Sequence, residues 1–223
     1  MNRPSLRWLL ALAPLLLFGC STPATHEPRN LDLPKRELRA YVSSGGYAAD
    51  LAAVAAQARA WIETRAGRRT PGEKLAVVLD IDETALSNLP YMQAHDFGWD
   101  DPSWNAWIAA GEAPPIAPVR EVFAAARRLG VGVIFITGRE EPRDRPGTEK
   151  NLRAGGLGDF ARLIMAPAGG PGLTSEQRKT AVRAALEREG WTIIANVGDQ
   201  DSDLAGGHAE RAFKLPDPFY LTP

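Results

Sequence analysis

The chain has 223 residues, 44% hydrophobic and 24% charged, enough for one domain with a real core and too little for two. Its 26 basic and 27 acidic residues leave a net charge of −1, so no basic surplus points to a nucleic-acid polymer as partner. The single cysteine, Cys20, excludes an intramolecular disulfide.

At the N-terminus, Arg3 and Arg7 precede a short apolar run that ends in Phe18-Gly19-Cys20. That order predicts an export signal over 1–19, too short to span a bilayer comfortably. The ending is similar to a bacterial lipoprotein signal. It implies a lipidated Cys20, a tether over 20–39 and a folded domain over 40–223. Ser21 behind the cysteine points to the outer membrane, with the domain facing the periplasm. Tyr47 to Arg65 is Ala-rich, with apolar residues at helical spacing up to Gly67. Lys74–Leu79 is a short apolar run with two valines, the mark of a strand covered on both faces. Pro118–Leu129 predicts a helix with Pro near its start and Gly130 past its end. Val131–Thr137 predicts a second strand, Glu149–Ala154 a helix and Arg162–Ala166 a third strand. Thr174 with Gln177 three residues on predicts a capping box, opening a helix that runs to Glu189. Thr192–Val197 predicts a fourth strand. The alternation predicts an α/β, Rossmann-like open parallel sheet with helices on both faces and a small cap inserted after the first strand.

Such sheets bind ligands at the carboxyl ends of their strands. Asp80 and Asp82 follow strand one, Thr137, Gly138 and Arg139 follow strand two, and Asp199 and Asp203 follow strand four. Lys179 lies on the helix before strand four. Brought together, Asp80, Asp82 and Asp199 would form an all-oxygen nest whose mutual repulsion a hard divalent ion such as Mg²⁺ relieves. The three histidines, His26, His95 and His208, are scattered, which argues against zinc. A phosphate held there invites attack by Asp80, with Asp82 placed to give a proton and then activate water. Thr137 can donate to the phosphoryl group, and Lys179 can offset its charge. No P-loop, serine-hydrolase elbow, or cysteine- or histidine-phosphatase signature offers another nucleophile. The bland alternative is that Asp80 and Asp82 only cap the following turn.

Asp80-Ile-Asp82-Glu-Thr84, Phe135-Ile-Thr-Gly-Arg139, Lys179 and the GDQDSD run over 198–203 resemble the four motifs of the haloacid dehalogenase-like phosphohydrolases. The opening motif, the Cys-bearing export signal and the KLPDPFY run over 214–220 resemble more narrowly the class B acid phosphatases. That group includes bacterial lipoprotein acid phosphatases and plant vegetative storage proteins. The resemblance implies an acid phosphatase. Asp80 would be its nucleophile and a Mg²⁺ ligand; Asp82 would be its general acid and base and bind the metal through its backbone carbonyl. Asp199 would ligate the metal, with Asp203 acting through water or on Lys179. Thr137 and Gly138 would form the phosphate-binding turn. Asp201 falls outside the family spacing.

Residues 87–116, read as the cap, carry Tyr91, Phe97, Trp99, Trp104 and Trp107. They can form the cap's own core, or a few can stack on a flat leaving group. Tyr91, Trp104 and Trp107 are the candidates for substrate contact. Arg139 and Asn88 can meet substrate or brace the loop. The resemblance points to small phosphate monoesters as partners, nucleoside monophosphates and aryl phosphates above all. A phosphotransferase and a non-catalytic phosphate-ester-binding lipoprotein are the alternatives.

Overall fold

The computed structural model describes residues 27–169 and 172–222. The predicted export signal and Cys20 lie outside them. The chain divides into two compact units, Met1–Asn30 and Leu31–Pro223. Every described element belongs to the second. Among the described residues no helix is long and apolar enough to cross a membrane.

Five strands form one parallel sheet: β1 (Lys74–Leu79), β2 (Gly132–Glu141), β3 (Arg162–Pro167), β4 (Trp191–Gly198) and β5 (Ala212–Lys214), in the order β3-β2-β1-β4-β5. Alternation along β1 explains why the strand reads as continuously apolar. Leu75, Val77 and Leu79 join the core on one face, while Ala76 and Val78 join the cluster on the other. Helices α2 (Gly46–Ala66) and α5 (Ala117–Arg128) cover the first face with Leu51, Ile62, Val119 and Phe123. Helix α7 (Ser175–Arg188) covers the second through Leu186. The predicted capping box is present: Gln177 N donates to Thr174 Oγ1 at 3.2 Å, and Thr174 N donates to Gln177 Oε1 at 3.1 Å.

Register positions the site. Leu79 pairs with Phe135 on β2 and with Val197 on β4, so Asp80, Thr137 and Asp199 emerge within two residues of a common level. Between β1 and α5 the chain forms α3 (Leu89–Ala94) and α4 (Asp101–Ala110), within the span read as the cap.

Three elements differ from the sequence reading. The tether expected over 20–39 is helical from Asp32, the start of α1 (Asp32–Ser43), which has no buried residue and is tied by Lys35 and Arg39 to Asp96. Helix α6 (Arg145–Ala154) starts before Glu149, with a proline in its first turn. Strand β5 was not expected; it is three residues at the sheet edge with only Phe213 buried, too short to show a period.

Candidate active site

Asp80 leaves β1 with its backbone N–H bonded to Val197 O at 3.0 Å. The chain then turns back on itself: Ala85 N and Leu86 N both donate to Ile81 O, at 2.9 and 2.8 Å, and Glu83 sits at a positive φ of 53°. Asp80 is joined by Asp199, just past β4, and by Asp203 on the short helix α8 (Asp201–Leu204). One carboxylate oxygen from each lies within 4.8 Å of the other two, and all three residues are buried. Gly198 makes this approach possible, because a Cβ there would lie 2.4 Å from that of Asp203.

Lys179 reaches in from α7. Its ammonium donates to Asp80 Oδ1 at 2.5 Å and also to Asp203 Oδ1. Burial works against the cation, but the Asp80 and Asp203 charges outweigh it and hold the Lys179 pKa above its ordinary value. Burial pushes the Asp80 carboxyl well above the usual range; the facing Asp203, Asp199 and Asp82 add to this, while Lys179 opposes it. Asp199 is likewise raised by burial and by Asp203, although Thr84 Oγ1 and Gln200 Nε2 each donate to it at 2.8 Å. Three carboxylates against one ammonium form an all-oxygen set with surplus negative charge, chemically suited to a hard divalent cation.

Asp82 stands apart from that set. Its carboxylate is held by Arg139, with Nη2 donating to Oδ1 at 2.7 Å and Nε to Oδ2 at 3.1 Å, and by Asn88 Nδ2, which donates to Oδ1 at 2.9 Å. Arg139, left open between substrate and bracing, is buried and braces Asp82 and Thr148 while also bordering the cavity. Thr137 is fully buried; its Oγ1 accepts from Arg139 N at 3.2 Å, and Gly138 rather than Thr137 forms cavity wall.

The acids open into a cavity of about 630 Å³, bounded by the sheet end, the cap and residues 220–222. Trp104 and Trp99 line it, with ring centroids 4.3 Å apart. Tyr91 and Trp107, expected to contact substrate, do not line it. Tyr91 is buried at the centre of the cap's aromatic cluster, 5.2 Å from Trp104 and stacked on His95 at 4.1 Å. Trp107 turns its Nε1 to Asn88 Oδ1 at 2.8 Å. Both rings are apolar bodies with a polar tip that finds a partner inside the cap. His208 pairs with Glu187 and is not among the residues lining the cavity.

Several working residues carried no assignment from sequence. Thr84 holds Asp199 from within the first motif. Glu83 is fully buried, receives Asn88 N at 2.6 Å and Tyr220 OH at 2.7 Å, and is pushed up to about 8 by burial and the neighbouring Asp82, against those hydrogen bonds. Arg183, also fully buried, donates to Asp203 O at 2.7 Å and Gly207 O at 2.9 Å, which fixes the loop after α8. The motif spacing marks Thr84. The others become visible only in three dimensions.

Residues 21–223 match the family model of the HAD superfamily, subfamily IIIB (acid phosphatase). Acid phosphatase 1 of Solanum lycopersicum is 39% identical over 147 residues, covering 64% of this chain and 57% of that protein. Vegetative storage protein 1 of Arabidopsis thaliana is 33% identical over 150 residues, covering 66% and 55%. The matches thus span little more than half the length of these relatives. Among solved structures, the class C acid phosphatase from Bacillus anthracis superposes with a TM-score of 0.68 at 21% identity, covering 86% of this chain and 87% of that one, a likeness of fold. On the match of nearly its whole length to the family model, the chain belongs to the HAD superfamily, subfamily IIIB, the acid phosphatases.

Proposed function

We propose that this protein is a Mg²⁺-dependent acid phosphatase that hydrolyses small phosphate monoesters, nucleoside monophosphates and aryl phosphates among them, through an aspartyl-phosphate on Asp80. The observation that carries the reading is the buried group of Asp80, Asp199, Asp203 and Lys179 beside a cavity at the open end of the sheet. Asp80, Asp199, the backbone carbonyl of Asp82 and, behind them, Asp203 would hold Mg²⁺, which supplies positive charge beside the phosphoryl oxygens.

Lys179 occupies Asp80 Oδ1, leaving Oδ2 for phosphorus. In the first step a bond forms from Asp80 to phosphorus as the bond from phosphorus to the ester oxygen breaks. Asp82 gives that leaving oxygen a proton. In the second, Asp82 takes a proton from water, whose oxygen attacks phosphorus; phosphate departs and the Asp80 carboxylate is restored. The Thr137-Gly138 turn and Lys179 hold the phosphoryl oxygens in place for both steps. Asp80→Asn is expected to lower turnover of p-nitrophenyl phosphate by about 10³-fold or more while the circular-dichroism spectrum stays native. Chelation is expected to abolish activity and added Mg²⁺ to restore it. Full activity in the variant, or in chelator, overturns the mechanism.

We further propose export and attachment to the outer membrane through a lipidated Cys20, with the domain in the periplasm. The support is the order of residues 1–20: basic start, apolar run, cysteine. The curated relatives named above are plant proteins, so this part rests on that sequence by itself. Cys20→Ser should abolish incorporation of labelled palmitate; unchanged labelling refutes the anchor.

A further inference from the structure

The turn within β2 has no strand partner. β2 pairs with β1 up to Phe135 and with β3 up to Ile136, and pairing with β3 resumes only at Glu140. Thr137, Gly138 and Arg139 fall in that gap. Thr137 Oγ1 accepts from Arg139 N at 3.2 Å, a bond that ties the turn only to itself. Its backbone is tied to another element by Arg178 of α7, whose Nη1 donates to Thr137 O at 3.1 Å. Nη2 of the same guanidinium lies 3.9 Å from where a Cβ on Gly138 would stand. Arg178 is half-buried and is not among the residues lining the cavity. Among the described residues no carboxylate forms an ion pair with it, whereas its neighbour Lys179 takes two, Asp80 and Asp203. Burial holds the Arg178 pKa below the ordinary guanidinium value, against the Asp80 and Asp203 charges. A cation half out of water that serves one backbone carbonyl is a poor device for stability alone.

The carbonyl it serves is not an ordinary one. A trans peptide is planar, so fixing Thr137 O also fixes the direction of the Gly138 N–H on the opposite edge. Gly138 borders the cavity that holds the acids. We propose that Arg178 is the positioning residue of the phosphate turn: by holding Thr137 O it aims the Gly138 N–H at a phosphoryl oxygen. Because Lys179 is the next residue on α7 and grips Asp80, the same helix sets the turn and the nucleophile relative to each other. The proposal rests on the phosphatase reading and deepens it. A donor aimed in advance acts most where charge gathers on the phosphoryl oxygens, in the transition state.

The test is calorimetric binding of inorganic phosphate and of orthovanadate, a mimic of the five-coordinate transition state, with Mg²⁺ present. Arg178→Met removes the donors and keeps an unbranched stem. It is expected to weaken vanadate about tenfold or more and phosphate only about threefold. In the same variant kcat on p-nitrophenyl phosphate should fall about 10–100-fold with KM little changed. Arg178→Lys keeps one donor for the carbonyl and should recover most of both losses. Wild-type affinity for both anions in Arg178→Met overturns the proposal. So does an equal loss for both anions that disappears in about 0.5 M salt, which would mean that the guanidinium acts only as a distant charge. A lowered Tm with unchanged kcat would likewise reduce it to packing. If wild-type protein binds both anions but turns over no ester, the phosphatase reading falls and the anion affinities still decide the role of Arg178; if it binds neither, both fall.

Discussion

Around Asp82 the fold assembles one donor remote in sequence and one close by. Arg139 lies 57 positions away and reaches both carboxylate oxygens. Asn88 is saturated: its Nδ2 serves Asp82 and Glu83, at 2.9 Å each, and its Oδ1 accepts from Trp107. Sequence could name Arg139 and Asn88 but could not say which way they turn: Arg139 meets Asp82 across the fold, and Asn88 divides its amide between two acids of its own loop and a ring of α4. Asn88 therefore joins the cap to the acid proposed to protonate the leaving group. If it fixes the direction of that proton, its removal matters most where the leaving oxygen is basic. Asn88→Ala is expected to lower kcat on glycerol 3-phosphate about 10–100-fold, and on p-nitrophenyl phosphate less than tenfold, since nitrophenolate departs without a proton. Steady-state kinetics on both substrates checks this; equal losses would mean that Asn88 only packs the cap.

The elements legible in the sequence are those with long or continuous patterns. β1, β2 and β4 each bury most of their length, so their apolar runs stand out, and β3 shows itself by an apolar run although only Leu163 and Met165 are buried. β2 nonetheless continues past Thr137 to Glu141, pairing Glu140 with Ala166 of β3 beyond an irregularity; polar residues there hide the strand. α1 escaped because it is charged and has no fully buried residue. Its last turn packs Tyr41 and Val42 partly against the core, and ion pairs to the cap loop and Arg39 lying 5.8 Å over the Phe97 ring hold the rest. The cap's aromatic richness is plain in the sequence, but the sides its rings take are not. α3 and α4 are short, and rings alternate between cavity and interior according to where each finds a polar partner: Tyr91 on Ser103 Oγ at 2.9 Å, Trp99 Nε1 on Asp101 at 2.8 Å. For the same reason the strand-end acids were predictable as a group, since topology gathers them, whereas Gln200 and Tyr220 depend on a segment with no period of its own.

At the scale of the whole molecule, a net charge of −1 conceals a concentrated interior imbalance. Asp80, Asp199 and Glu83 are buried within one end of the sheet, and burial raises all three. A carboxyl whose folded pKa lies above its unfolded value binds protons more tightly in the native state, so stability falls as pH rises between the two. For Glu83 the window runs from 4.5 to about 8. Its contribution is fully present below the lower figure and is lost as pH passes the upper one. A shift of that size corresponds to on the order of 5 kcal/mol, large beside the total of about 5–15 kcal/mol that stabilises a typical domain. In chelator, Tm is therefore expected to fall between pH 5.5 and pH 8.5, and Glu83→Gln is expected to flatten that fall. A cation binding the ionised acids acts in the opposite sense, because protons compete with it. Added Mg²⁺ should raise Tm at pH 7.5 more than at pH 5, by an amount equivalent to about 2.7 kcal/mol at a hundredfold excess over Kd. Scanning calorimetry at the named pH values, with and without metal, reads both trends. A Tm that climbs with pH in chelator would show that these acids are ionised and satisfied without a cation, and the electrostatic reason for metal at this sheet edge would be gone.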